Sequence, residues 1–202
     1  MKKKIVILGS TGSIGKNLVN ILKKDKKNFD VCLLSANKNI IEILKQIKIF
    51  NVKNIVVTNY QKFLQIKKIL NKKNINIFNN FDSINKIFNK KKIDYVMSSI
   101  SGIEGLEPTI KIIKFTKKIA IANKESIICG WPLIKKELLK NKTKFIPIDS
   151  EHYSIYSLIG KSKNVNIEKV FLTASGGPFN NYPLNKFKSI KLKSALNHPN
   201  WK

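Results

Sequence analysis

Residues 4–15 are Lys4-Ile5-Val6-Ile7-Leu8-Gly9-Ser10-Thr11-Gly12-Ser13-Ile14-Gly15, and this stretch decides the fold. The continuous apolar run that follows Lys4 is typical of a strand buried in a parallel sheet. The glycines come next at G-x-x-G-x-x-G spacing, and the following apolar residues recur at helical spacing: Ile14, Leu18, Ile21 and Leu22. A strand, a glycine turn and a helix in this order predict dinucleotide binding, because the helix N-terminus offers free N–H groups to a pyrophosphate. The alternative is a tight turn without a ligand.

A second strand is predicted over residues 29–34, and Ser35-Ala36-Asn37-Lys38-Asn39 follows it. In a site that prefers NAD, this strand usually ends in a carboxylate that binds the ribose 2′-hydroxyl. No carboxylate stands here, and Lys38 is close by. Because a cation accommodates a 2′-phosphate, the segment favours NADP(H). The alternative is that Lys38 is one surface lysine among many.

Strands and helices alternate over the rest of the first three quarters of the chain. Helices are predicted over 40–50, 60–71, 82–89, 105–115 and 132–140, and strands over 54–57, 75–78, 94–97, 118–122 and 144–148. Short connections between alternating elements specify an α/β fold with a Rossmann-like, doubly wound, mostly parallel sheet. A helix over 152–159 and a strand over 168–174 are predicted beyond it.

Two carboxylates one residue apart, Asp149 and Glu151, follow the last predicted strand of this sheet. They leave the carboxyl end of that strand, where open α/β sheets keep their ligands. The pair could bind one hard cation such as Mg²⁺ or Mn²⁺. The commoner use of such residues is a helix start, with Asp149 or Ser150 as the N-cap and Glu151 in the first turn. The residues alone leave both interpretations open.

Three other polar segments follow predicted strands or end the chain. Asn123-Lys124-Glu125-Ser126 could contact a cofactor or substrate, or could be a loop with a helix N-cap. Ser175-Gly176-Gly177-Pro178-Phe179 could form an anion-binding nest or a plain turn. His198-Pro199-Asn200-Trp201 could be a ligand lid or a disordered end.

The 202 residues carry a formal charge of +27, which ordinarily indicates nucleic acid as a partner. All 39 basic residues are lysines, and they are spread over every predicted helix and loop instead of forming one stripe. The planar fork of arginine, which contacts phosphate and guanine best, is absent. We therefore expect no specific nucleic-acid partner, only nonspecific polyanion binding at low salt.

Hydropathy and cysteine usage indicate a cytoplasmic protein. No apolar run is long enough to span a bilayer, and residues 5–8 are too few for the apolar core of a signal peptide. We therefore expect no targeting segment and no membrane contact. Cys32 and Cys129 lie far apart in apolar surroundings, which predicts two reduced, buried thiols.

Taken together, five motifs resemble those of 1-deoxy-D-xylulose 5-phosphate reductoisomerase. They occur in the family's order at compatible spacings and span nearly this whole chain, which makes the resemblance highly specific. It reaches only about the first half of that enzyme. The motifs are the glycine turn 9–15, Ala122-Asn123-Lys124-Glu125-Ser126, Asp149-Ser150-Glu151-His152, Ser175-Gly176-Gly177-Pro178-Phe179 and His198-Pro199-Asn200-Trp201.

The resemblance implies an enzyme of non-mevalonate isoprenoid biosynthesis. It would isomerise 1-deoxy-D-xylulose 5-phosphate and reduce the product with NADPH to 2-C-methyl-D-erythritol 4-phosphate, with a divalent Mn²⁺ or Mg²⁺ chelating the substrate. An NADPH-binding Rossmann-like domain would cover residues 1–148. The start of an α+β catalytic domain would cover 149–202, without the family's C-terminal helical domain. A full-length family member is expected to be a homodimer.

The resemblance also assigns roles to single residues. Asp149 and Glu151 would be the metal ligands. Substrate would be bound by Lys124, Ser150, Glu151, Ser175 and His198, with Ser175 near its phosphate and Trp201 closing over it. The catalytic group would be Lys124, Asp149, Glu151 and His198. NADPH would be contacted by Thr11, Gly12, Ser13, Ile14, Lys38, Asn39, Asn123 and Glu125.

Some features of the chain depart from the family pattern. Asn37 stands where the family commonly has Gly, and Asn tolerates the left-handed conformation best after Gly. The family's third metal carboxylate lies beyond Lys202, so we expect weak metal binding and an inactive fragment. His152 is disfavoured as a substitute ligand, because it would point away from Glu151.

The alternative from another functional class is a non-catalytic basic protein that binds nucleotides or nucleic acid on a degenerate Rossmann fold.

Overall fold

A computed structural model of the chain describes residues 1–71, 73–89, 92–159, 167–171, 177–179 and 181–197. Seven parallel strands form one sheet in the order β4-β3-β2-β1-β5-β6-β7. The strands are β1 Lys3–Leu8, β2 Phe29–Ala36, β3 Asn54–Val57, β4 Asn76–Phe78, β5 Ile93–Ser98, β6 Thr116–Ile121 and β7 Lys144–Pro147. The prediction of a doubly wound α/β fold is confirmed.

Helices connect consecutive strands and cover both faces of the sheet. They are α1 Ser13–Lys24, α2 Ile40–Phe50, α3 Tyr60–Ile69, α4 Ser83–Phe88, α5 Leu106–Ile113 and α6 Lys124–Asn141. A further helix, α7 Ser150–Ile159, follows the last strand. A 3₁₀ turn over Ile103–Gly105 precedes α5. The helices α1 to α3 pack on one face, and α4 to α6 pack on the other.

Strand β1 lies at the centre of the sheet and is buried from both sides. Ile5 and Ile7 belong to the core beneath α1, α2 and α3, whereas Val6 and Leu8 belong to the core beneath α4, α5 and α6. A strand buried on both faces has no room for polar side chains, which explains the continuous apolar run. The strand order reverses between β1 and β5, and that switch point is where such sheets bind ligands.

Helix α1 faces the sheet with a different stripe from the one expected. Gly15, Val19 and Leu22 are buried, whereas Ile14 and Ile21 are 41% and 63% exposed. The buried stripe includes a glycine because the helix begins directly against the turn. A Cβ at Gly15 would overlap the Gly9 carbonyl oxygen and lie 2.7 Å from the Ser10 Cα.

Helix α6 begins eight residues earlier than predicted. The possible helix N-cap in Asn123-Lys124-Glu125-Ser126 is the actual start, and Pro132 lies inside the helix, where it removes one backbone hydrogen bond. Gly130 lets α6 approach α5, since a Cβ there would lie 2.8 Å from Leu106 Cδ2. The early start also places Cys129 on the exposed face of the helix. The prediction that Cys129 is buried was therefore wrong.

Cys32 is half-buried on β2 and carries a free thiol. Burial, helped by the nearby Asp30 carboxylate, raises the pKa of this thiol to about 12. A thiol held in its protonated form is a poor nucleophile, so Cys32 is a structural residue, as predicted for a reduced cysteine.

The chain forms two compact units, Met1–Tyr153 and Ser154–Lys202. The second contains a 3₁₀ turn over Leu184–Ser189 and a short helix α8 over Leu192–Leu196. Phe179, Tyr182 and Phe187 stack on one another there, with ring centroids 5.6 to 6.3 Å apart. Of the strand predicted over 168–174, residues 168–171 are described and are not in a strand.

Among the residues that the structure describes, no helix has the length and apolar character needed to cross a membrane.

At the amino end of the sheet, Asp94 ties three strands together. Its carboxylate accepts from the Lys4 backbone N–H and from Lys117 Nζ, both at 2.8 Å. These hydrogen bonds, the Lys117 bond first, hold the Asp94 pKa below its ordinary value. The contacts join β1 and β6 to β5 from the edge opposite the glycine turn.

We expect Gly15→Ala to lower the free energy of unfolding by about 3 kcal/mol, the upper range for overpacking, because the obstructing atoms are backbone. Gly12→Ala is the matched control. Its Cβ would meet nothing nearer than 3.5 Å, and alanine before α1 should cost below about 1 kcal/mol. Urea unfolding measures both. Equal losses would show that the Gly15 contact does not constrain the turn.

The Asp94 contacts predict a pH-dependent contribution to stability. Because the folded pKa is lowered, the stabilisation is fully present above the ordinary value of 3.8 and is lost as pH falls through the folded pKa. At pH 7, Asp94→Asn should lower the free energy of unfolding by about 1 kcal/mol. The difference from the parent should shrink in acid. Urea unfolding across pH, with Lys117→Met and the double variant, tests this; a difference that is constant with pH contradicts it.

Candidate functional site

A cavity of 1010 Å³ lies at the carboxyl edge of the sheet, beside the switch point between β1 and β5. The glycine turn after β1 and the turn after β2 form one part of its wall. The segments after β3, β4 and β5 and the start of α5 form the rest. The cavity is therefore built from five successive connections of the predicted sheet, and its volume suits a large ligand.

The glycine turn presents backbone to this cavity, with Thr11 and Gly12 in the wall. Gly9 has φ +78°, and a Cβ there would lie 2.7 Å from the Ser99 carbonyl oxygen. Gly12 is the N-cap of α1 and supplies no side-chain cap, so the first N–H groups of the helix remain available. This arrangement suits a pyrophosphate, which backbone N–H groups bind at a helix N-terminus.

The turn after β2 brings one cation and no carboxylate. Lys38 lines the cavity and forms no ion pair with any residue that the structure describes. Asn37 is in the wall as well, but it does not adopt the left-handed conformation that its position suggested. Asn39 caps α2, since its Oδ1 accepts from the Glu42 N–H at 3.0 Å. These residues fit a 2′-phosphate next to Lys38.

A second lysine in the wall is already neutralised. Lys111 Nζ contacts Asp82 Oδ1 at 2.5 Å and also binds Glu107. These two hydrogen bonds, first the one to Asp82, raise the Lys111 pKa. Lys111 is therefore poorly suited to bind a ligand phosphate, which leaves Lys38 as the better candidate on this wall.

Asn123 holds two connections of the sheet together. Its Nδ2 donates to the carbonyls of Ile100 and Gly102, in the loop after β5. Its Oδ1 accepts from the Ser126 N–H at 2.8 Å, which makes Asn123 the N-cap of α6. Both amide hydrogens are thus used within the protein. Direct contact of this side chain with NADPH stays a prediction, and the side chain already has a structural role.

Lys124, Asp149 and Glu151 come together at the ends of β6 and β7. These strands are paired, so the residues that follow them share one edge. Lys124 Nζ lies 3.4 Å from Glu151 Oε2. The Asp149 side chain is only 7% exposed, and its Oδ2 lies 2.6 Å from Nδ1 of His152. The sequence therefore placed these carboxylates and the lysine correctly at a common edge.

Asp149 also acts as the cap that its sequence position suggested. Its Oδ2 receives the His152 backbone N–H at 3.4 Å, in the first turn of α7. Burial opposes the charged form, but the ring and backbone hydrogen bonds from His152 and the Lys124 charge outweigh it. Their balance lowers the Asp149 pKa. The carboxylate is therefore charged at neutral pH.

The donor set at this edge suits a hard divalent cation only in part. Carboxylate oxygens from Asp149 and Glu151 are the ligands that Mg²⁺ and Mn²⁺ prefer. No group of three or more His, Cys, Asp or Glu side chains that could hold a metal occurs in the described ranges. The His152 ring is turned to Asp149 itself, where it competes for the same oxygen. Two oxygen ligands remain.

The other residues named from the sequence fall into two groups. Ser13 and Ile14 are exposed at the start of α1, Glu125 is exposed in the first turn of α6, and Ser150 is the first residue of α7. Ser175, His198 and Trp201 lie outside the described residues, so their roles stay predictions.

Several cavity residues were missed in the sequence. Thr58, Asn59, Asn79 and Asn80 line the wall after β3 and β4. Each follows a predicted strand directly, and that position was the available signal. The many asparagines of this region hid that signal, because asparagine is equally common in loops that bind no ligand.

Comparison with known proteins agrees with this geometry. The sequence model described as 1-deoxy-D-xylulose 5-phosphate reductoisomerase matches residues 5–130, and the model described as its C-terminal domain matches residues 145–202. The reductoisomerase of Pelagibacter ubique (strain HTCC1062) is 60% identical over 200 residues, which are 98% of this chain and 52% of that protein. That of Clostridium kluyveri (strain ATCC 8527) is 41% identical over 202 residues, 99% and 52% of the two chains.

Solved structures of the same name are also similar. DOX-P reductoisomerase in complex with NADPH, fosmidomycin and magnesium gives a TM-score of 0.76 at 27% identity and covers 99% of this chain and 52% of that one. The Zymomonas mobilis reductoisomerase in complex with NADPH gives 0.69 at 27% identity, over 75% and 40%. The chain spans about half the length of the curated relatives it matches.

Both family models match in chain order, and the first alone covers more than half of the residues. The chain therefore belongs to the 1-deoxy-D-xylulose 5-phosphate reductoisomerase family.

Proposed function

We propose that this chain supplies the NADPH-binding and part of the metal-binding machinery for converting 1-deoxy-D-xylulose 5-phosphate to 2-C-methyl-D-erythritol 4-phosphate. The observation that carries the proposal is the cavity whose wall combines the glycine turn with Lys38, a lysine that forms no ion pair within the described part of the chain. Related structures in complex with NADPH and magnesium support the choice of both ligands.

The proposed function uses two binding sites, one for the cofactor and one for the metal and substrate. At the glycine turn, N–H groups would bind the NADPH pyrophosphate and Lys38 the 2′-phosphate. At the ends of β6 and β7, Asp149 and Glu151 would hold a divalent cation, which supplies Lewis acidity toward substrate oxygens. Lys124, beside Glu151, would bind a substrate oxygen and keep it oriented.

The loop after β5 connects these two places. Asn123 fixes that loop to the start of α6, so the residues Ser99 to Ser101 in the cavity wall and Lys124 are held in one rigid arrangement. Such preorganisation is what hydride transfer between a bound cofactor and a bound substrate requires. Substrate contacts by Ser150, Ser175, His198 and Trp201 belong to the same proposal.

With two carboxylates described at the metal edge, we expect the 202-residue chain to bind both ligands without sustained turnover. Homodimer formation by the full-length protein and a cytoplasmic location are likewise proposed. The rival, a non-catalytic basic binding protein, has only the net charge in its favour, and lysines spread over the surface do not form a specific site.

Cofactor choice is tested by Lys38→Glu. A carboxylate at this place would repel the 2′-phosphate, so we expect NADPH binding to weaken about tenfold or more, and NADH binding to change less than about threefold. Lys45→Glu is the matched control, with the same charge change on an exposed residue of α2 outside the cavity wall. Titration followed by nicotinamide fluorescence measures both cofactors. Equal losses for NADPH and NADH would remove the assigned role of Lys38.

Metal binding is tested by Mn²⁺ titration, with free Mn²⁺ followed by electron paramagnetic resonance. Asp149→Asn and Glu151→Gln should each weaken binding roughly tenfold, the cost of losing one of two charged ligands. His152→Ala should leave binding equal or tighter, because it frees the Asp149 oxygen that the ring now occupies. Weaker binding in His152→Ala would instead make His152 a third ligand. Unchanged binding in both carboxylate variants would place the metal elsewhere.

A further inference from the structure

Gln46 is a fully buried polar residue on α2 that contacts the glycine turn from behind. Its Nε2 donates to the Ser10 carbonyl oxygen at 2.9 Å and to Glu42 Oε1 at 3.0 Å. Its Oε1 has no hydrogen-bond partner in the described part of the chain. A buried polar side chain that leaves one atom unpaired is costly to keep. Gln46 therefore contributes to the structure through the two hydrogen bonds of its amide nitrogen.

The contact with Ser10 sets the direction of the next N–H group. In a trans peptide the C=O and the following N–H point in opposite directions. Holding the Ser10 oxygen toward α2 thus turns the Thr11 N–H away from α2. Thr11 lines the cavity, and its N–H donates to no group among the residues the structure describes. This N–H is a free donor whose direction depends on Gln46.

The same side chain connects the glycine turn to the start of α2. Glu42, which accepts from Gln46, donates its backbone N–H to Asn39. Asn39 follows Lys38, the cation in the cavity wall. A continuous chain of hydrogen bonds thus runs from the residue after Lys38 to the carbonyl before Thr11. Ser35 completes the support, because its Oγ accepts the Gly9 N–H at 2.8 Å.

We propose that Gln46 is a positioning residue for the glycine turn. It directs the Thr11 N–H toward the ligand pyrophosphate and holds the turn at a fixed position relative to Lys38. The inference rests on the proposed binding of NADPH. Gln46 itself is not in the cavity wall. Gln46 would therefore act on the ligand only indirectly, through its hydrogen bonds to the Ser10 carbonyl and to Glu42.

The test compares a ligand that has a pyrophosphate with one that lacks it. In Gln46→Met, which keeps the shape and removes the donor, NADPH should bind roughly fivefold to tenfold more weakly. Adenosine 2′-phosphate should bind as in the parent, because it reaches Lys38 without the turn. Thermal stability should change little, since the lost Ser10 bond is offset by removal of the unpaired Oε1. Isothermal titration of the full chain measures both ligands.

Two further comparisons separate positioning from general loosening. Ile43→Val trims a buried residue of the same helix without touching a hydrogen bond, and should leave both affinities unchanged. Glu42→Ala should weaken NADPH binding about twofold to threefold, and Glu42→Gln should restore it, because the amide oxygen can again accept from Gln46. Both Glu42 variants lose the same charge.

Backbone hydrogen exchange supplies a readout that needs no ligand. The Gly12 N–H, which donates to the Gly9 carbonyl at 3.1 Å, should exchange several-fold faster in Gln46→Met and not in Ile43→Val. If the parent chain bound neither ligand, the proposed function would fail, and the exchange rates would still decide the role of Gln46. Unchanged exchange at Gly12, or equal weakening of NADPH and adenosine 2′-phosphate, would overturn the positioning role.

Discussion

The structure depends on one constraint, the contact of backbone with backbone around the glycine turn. Gly9 lies against the carbonyl of Ser99, and Gly15 lies against the carbonyl of Gly9. These contacts bring the ends of β1 and β5 and the start of α1 closer than side chains would allow. The switch point of the sheet, the cavity beside it and the free N–H groups of α1 all follow from that approach.

Polar side chains then hold the connections that the close approach brings together. Ser35, Ser99 and Asn123 each bind a backbone group of a neighbouring strand or connection. Partly buried hydrogen bonds of this kind favour one arrangement over its alternatives, because another arrangement would leave a donor or acceptor unpaired. The carboxyl edge is therefore rigid on the side of the glycine turn. At the ends of β6 and β7, the contact of His152 with Asp149 is local in sequence, whereas that of Lys124 with Glu151 joins two connections.

Most of the fold could be predicted from local sequence, because burial on both faces of a strand and glycine at a turn leave direct signals. The start of α6 was predicted eight residues late, although Asn123 was recognised as part of a possible N-cap, because the sequence does not show that Gly130 lies inside the helix and faces Leu106. The site follows the same rule. The positions of Lys38, Asp149 and Glu151 at the carboxyl edge of the sheet could be predicted because each closely follows a strand. The contacts of Asn123 with Ile100, and of Lys111 with Asp82, join residues more than twenty positions apart and left no local pattern.

The absence of arginine has a consequence for how this protein can orient a phosphate. An ammonium group attracts an anion without fixing its rotation, whereas a guanidinium fork fixes both position and angle. With Lys38 as the cation beside the ligand, the orientation of a bound phosphate would have to be set by backbone N–H groups. The direction of those groups depends in turn on how rigid the glycine turn is. In a chain whose basic residues are all lysines, the rigidity of the main chain would therefore set how precisely a phosphate is oriented.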